Sequence, residues 1–124
     1  MSNQAMYIVS VNMTPEKAKE LVAILTKDLS QKYNLVHVAN TNGEWSIYGV
    51  KTLLESLMVT PHILICSSQW TVEQQSLIQA TAREMIPGIK TIAIPPGLNA
   101  TKGGEAVMEF LKEEVLGLGL PMRV

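Results

Sequence analysis

Cysteine occurs once in the 124 residues, as Cys66, aspartate once, as Asp28, and histidine twice, as His37 and His62. A lone cysteine closes no internal disulfide and suits a reducing compartment, so the cytosol is the expected location. Metal and acid–base sites draw on clusters of His, Cys and Asp. With four such residues spread over the chain, no metal site and no catalytic constellation is expected. An excess of one charge is missing too, since ten Lys and Arg face eleven Asp and Glu. Nucleic acid, whose non-specific affinity comes from a basic patch, therefore has no electrostatic footprint here. No apolar run approaches the ~20 residues of a bilayer span. The start, Met1-Ser2-Asn3-Gln4-Ala5, has neither the basic flank nor the apolar stretch of a signal peptide.

What is present is an ordinary globular mixture, 47% hydrophobic and 17% charged, of a length suited to one domain spanning residues 1–124. Met6-Tyr7-Ile8-Val9-Ser10-Val11 is β-branched and aromatic, the character of a buried strand. Thr14-Pro15-Glu16 then announces a helix, with Thr as cap, Pro in the first turn and Glu at the positive end. Ala18, Leu21, Val22, Leu25 and Leu29 form its apolar face, opposite Lys17, Lys19, Glu20 and Lys27. Leu35 to Ala39 reads as a second strand. After it two readings stand open. Asn42-Gly43 is a hairpin turn signal that would return Trp45, Ile47 and Tyr48 as a short strand, or 40–48 is a loop into the next helix.

Val50, Leu53, Leu54, Leu57 and Met58 mark that helix, stopped by Thr60-Pro61. His62-Ile63-Leu64-Ile65-Cys66 is continuously apolar, as a strand covered on both faces should be. Thr71 and Gln74 have the spacing of a capping box, and the helix they open presents Leu77, Ile78, Ala82 and Met85. Ile89 to Ile94 is the next strand. A final helix is predicted over 104–116 with Val107, Met108, Leu111 and Val115 inward. Strands alternating with helices imply a parallel sheet with helices on both faces. The expected fold is a three-layer α/β sandwich of flavodoxin or Rossmann type, with four or five mostly parallel strands.

In such sheets ligands bind beyond the carboxyl ends of the strands. Those four places hold Asn12-Met13-Thr14, then Asn40-Thr41-Asn42-Gly43, then Ser67-Ser68-Gln69-Trp70-Thr71, and finally Pro95 to Gly104. All are rich in small neutral hydrogen-bonding side chains, which also serve simply as turn and cap residues. Thr101-Lys102-Gly103-Gly104 leads into a helix, so free amides, the helix dipole and one ammonium would converge on an anion. It is not a P-loop, whose lysine follows the last glycine of a spaced pair. Cys66 ends a strand, yet His62 lies four residues back, ~13 Å along an extended chain, too far to serve as its base. Cys66 therefore reads as a small core residue. Trp45, Tyr48 and Trp70 either stack on a ligand or close the rim of the core.

The element order resembles that of response-regulator receiver domains, and Pro61-His62-Ile63-Leu64-Ile65 resembles the approach to their phosphorylated strand end. That family needs acidic residues after its first strand and an aspartate at the end of its third. Asn12 and Cys66-Ser67 stand there instead, which excludes phosphorelay chemistry of that kind. Asn99-Ala100-Thr101-Lys102-Gly103-Gly104 is similar in content, in a different order, to the last motif of the cyclic-oligonucleotide sensor domains of CRISPR-associated proteins. The glycine fingerprint of dinucleotide binding is missing after the first strand.

These observations favour a non-catalytic module that binds a small anionic or nucleotide-like ligand at the carboxyl edge. Thr101, Lys102, Gly103 and Gly104 would hold the anion, with Ser67, Ser68, Asn12 and Thr14 on the rim. The alternative is an assembly subunit that meets a protein partner or further copies of itself and takes no ligand. A third reading is an enzyme using Cys66 or Ser67 with a base from elsewhere. The sequence specifies no cofactor.

Overall fold

The computed structural model describes residues 4–42 and 47–123. Eight elements follow in order: β1 (Met6–Val11), α1 (Pro15–Asp28), β2 (Leu35–Thr41), α2 (Ile47–Ser56), β3 (Ile63–Cys66), α3 (Val72–Met85), β4 (Lys90–Ala93) and α4 (Leu98–Leu116). The strands form one sheet in the order β2-β1-β3-β4, every neighbouring pair parallel. This is an α/β sandwich of Rossmann or flavodoxin type, as the alternating pattern predicts.

Strand alternation sorts the apolar side chains into two cores. Met6 and Ile8 of β1, Ile63 and Ile65 of β3, and Ile92 of β4 meet Val22, Leu25, Val107, Leu111 and Val115 of α1 and α4. Val9, Val11, Leu64 and Cys66 turn the other way, onto Val50 and Leu54 of α2 and Ile78 and Ala82 of α3. Each fully buried aliphatic side chain contributes roughly 1.5–3 kcal/mol of transfer free energy, so the two layers together dominate the stability. An ion pair of 2.7 Å between Lys112 and Asp28 links α4 to α1.

One irregularity shapes the carboxyl edge. The β1–β2 register runs Ile8 to His37 and then Val9 to Ala39, so β2 carries one extra residue at Val38. In a regular strand positions 37 and 40 would face opposite sides. The bulge removes that difference. Both His37 Nε2, at 2.9 Å, and Asn40 Oδ1, at 2.7 Å, reach the buried hydroxyl of Ser10.

Several expectations need correction. Ile47 and Tyr48 belong to α2 and not to a returning strand, while Gly43 to Ser46 lie outside the described residues. Met58 is 98% exposed, because α2 ends at Ser56 and the apolar stripe has no helix to continue on. Leu77 is 55% exposed. The inner face of α3 runs instead through Gln75, Ile78 and Ala82, and Gln75 Nε2 donates to the carbonyls of Ser67 and Ile94 at 3.1 and 2.7 Å. The last helix begins at Leu98, six residues before the predicted start. Gly103 breaks it with a φ of 81° and a ψ of 178°, a conformation that only glycine adopts freely. Residues 98–102 are thus a short first segment, and the predicted helix from Gly104 is the second.

Candidate functional site at the carboxyl edge of the sheet

The chain leaves β1 towards the α1–α4 layer and leaves β3 towards the α2–α3 layer. Neighbouring strands with opposite exits open a crevice between their carboxyl ends, and that switch point is where ligands of this architecture bind. Here it lies between Val11 and Cys66, which pair across the sheet.

Trp70 packs into the α2–α3 core below these strand ends. Its indole is buried, and Nε1 donates to the carbonyl of Val11 at 2.9 Å. It is part of the core wall and has no free face for stacking. Tyr48 falls within α2, and Trp45 lies outside the described residues.

Gln69 ties the two loops across the gap. Its Oε1 accepts from the amide of Met13 at 2.9 Å and from Ser67 Oγ at 3.2 Å. Its Nε2 donates to Thr14 Oγ1 at 2.9 Å. The Thr14 hydroxyl therefore does not cap α1 as expected, and no side chain does. Its own amide donates to Asn12 Oδ1 at 2.6 Å. The stitching continues outwards on both sides. Asn40 Nδ2 donates to the Asn12 carbonyl at 3.2 Å, and the Gly97 amide donates to the Ser68 carbonyl at 3.0 Å. At the next helix the predicted capping box is present, with Thr71 and Gln74 bonded reciprocally.

Beside this network, between α1 and α4, lies a cleft of about 320 Å3. Asn12, Thr14, Ser67, Ser68 and Gln69 form its rim, Asn99 borders it from α4, and Ile94 and Val107 are apolar wall. From α1 come Lys17, Glu20, Leu21 and Ile24, one helical stripe at i, i+3, i+4 and i+7. Among the described residues, the side chains of Lys17, Glu20, Ser68 and Asn99 have no hydrogen-bond or ion-pair partner. They are the groups left open to a ligand.

No protein family, curated protein or solved structure matches the chain.

The structure thus brings four of the eight sequence-derived candidates, Asn12, Thr14, Ser67 and Ser68, to one cleft. Thr101, Lys102, Gly103 and Gly104 are not in its wall. They span the end of the first segment of α4, its break at Gly103 and the start of the second segment, and the Thr101 hydroxyl donates back to the Gly97 carbonyl at 2.9 Å. Lys17, Glu20, Gln69 and Asn99 were not among the candidates. A signal for the first two was present in the sequence. Ile24, half exposed, extends the apolar stripe of α1 onto its charged flank, beside Lys17 and Glu20.

The nucleophile candidates are poorly placed for chemistry. Cys66 is fully buried, and burial pushes its thiol up to about 12 against a partial opposing pull from Arg83. Ser67 Oγ is engaged twice by Gln69, accepting from its backbone amide at 3.1 Å and donating to its side chain. Ser10 meets an imidazole, but at 3% exposure no substrate reaches it. Burial lowers the His37 pKa, partly offset by a hydrogen bond with the Ala39 backbone, so the ring is neutral at pH 7.

Proposed function

We propose that this protein is a non-catalytic binding module that takes a small ligand with an anionic group, of carboxylate or nucleotide-like type, in the switch-point cleft. The carrying observation is the unpaired Lys17 ammonium beside a rim of neutral amides and hydroxyls held in place by Gln69. Ordered donors around one cation suit an anionic oxygen, and the volume is within the range of small-molecule sites. The buried Cys66 and the engaged Ser67 support binding without turnover. A cytosolic setting goes with this reading, since a free thiol is stable there.

The test is amide chemical-shift mapping while acetate, inorganic phosphate or adenosine monophosphate is added. Perturbation of Met13, Ser68, Gln69 and Asn99, lost in Lys17→Ala and kept in Lys102→Ala, is the expected result. Perturbation confined to 101–104 and lost in Lys102→Ala would move the anion site to the fourth loop. No perturbation by any of the three, with a stable homo-oligomer in solution, would replace this reading with that of an assembly subunit.

A further inference from the structure

We infer that the cleft selects a ligand carrying both charges on neighbouring atoms, a free α-amino acid with an aliphatic side chain. The inference rests on the binding reading above and narrows its ligand class. Lys17 and Glu20 stand three residues apart on α1, a spacing at which opposite charges often pair, yet neither has an ion-pair partner among the described residues. Both instead border the cleft.

The order along the helix gives the ligand a direction. Lys17 is on the first turn, beside the loops of Asn12, Ser68 and Gln69. Glu20 and Leu21 follow about 5 Å further along the axis, and Ile24 about 10 Å from Lys17. Ile94 and Val107 supply apolar surface from β4's end and α4. The wall therefore passes from cation to anion to hydrocarbon. A carboxylate at Lys17, an ammonium at Glu20 and an alkyl chain against Leu21, Ile24 and Val107 match that sequence. A polyphosphate does not, because Glu20 offsets the charge of Lys17 and repels further negative charge.

Isothermal titration of the full chain with four probes tests this: L-leucine, 4-methylpentanoate (no ammonium), L-leucinamide (no carboxylate) and adenosine monophosphate. Leucine is expected to bind at least about tenfold more tightly than each of the others. Glu20→Gln should weaken leucine by about tenfold and bind 4-methylpentanoate at least as tightly as the native chain does, because the repelling carboxylate is gone. Equal or tighter binding of 4-methylpentanoate or the nucleotide, or a Glu20→Gln variant that binds leucine normally, overturns the zwitterion while sparing the binding function. Silence of all four probes on folded protein overturns both.

Discussion

Gln69 and Thr14, 55 positions apart, are joined by a 2.9 Å hydrogen bond in which a loop amide takes the hydroxyl that would otherwise cap a helix. The same side chain holds the Met13 amide, so one glutamine sets the separation of the two loops that frame the cleft. Replacing Gln69 by Ala removes three side-chain bonds at a solvent-facing position. The expected cost is about 1–2 kcal/mol in chemical denaturation, with faster hydrogen exchange at the Met13 amide. Gln69→Glu, which keeps the acceptor and loses the donor, should fall between the variant and the native chain.

Gln75 gives a sharper contrast, because it is buried. Gln75→Leu fills its place with hydrocarbon but strips the donor from the Ser67 and Ile94 carbonyls. A loss of about 1–3 kcal/mol is expected, visible as a lower Tm. A variant as stable as the native chain would show that water replaces the amide there.

His37 imposes a pH dependence. Its pKa is lowered in the fold from 6.5, so the unfolded chain takes up the proton first as pH falls. Stability is therefore fully present above 6.5, declines below it, and levels off once pH passes the folded value. Denaturation midpoints across this window should fall in the native protein and be flatter in His37→Gln.

Cys66 behaves oppositely. The thiol rises from 9.0 to about 12 in the fold, so the unfolded chain ionises first and stability declines as pH climbs from 9.0 towards 12. At about pH 8 iodoacetamide should label Cys66 only after denaturant is added. Rapid labelling of the folded protein would contradict the buried, protonated thiol.

Gly103→Ala isolates a backbone cost. A Cβ there meets nothing within 4 Å, but φ is +81°. A loss of about 1–3 kcal/mol is expected from conformation alone, measured by thermal unfolding. The same substitution at Gly104, which also has open space and no positive φ, should be tolerated.

The sequence carried the fold well because apolar periodicity decides it. Helices α1, α3 and α4 bury residues at helical spacing, β1 and β3 are almost continuously buried as their apolar runs imply, and only bounds and single positions moved. Gln75 is buried for a reason periodicity does not contain, namely two strand-end carbonyls that it supplies with a donor, while Leu77 faces outward. The extra residue at Val38 was equally silent, since a bulge changes register without changing composition. The candidate site was half legible. Asn12, Thr14, Ser67 and Ser68 follow from the rule that strand ends hold sites. For Lys17 and Glu20 the one hint in the sequence is Ile24, which carries apolar character onto their flank, and its meaning emerges only with α4 beside it.

The strand order has a consequence for when the cleft exists at all. β1 pairs with β2 across a short local crossover, whereas its other neighbour, β3, arrives only after residue 62. The β1–α1–β2 unit can assemble early, but it contains one wall of the cleft and none of the Ser67–Gln69 rim. On the binding reading proposed above, a ligand at the switch point would recognise only a chain that has closed this longer circuit, so its binding would report the completion of folding and would hold the two halves of the sheet together like a clasp.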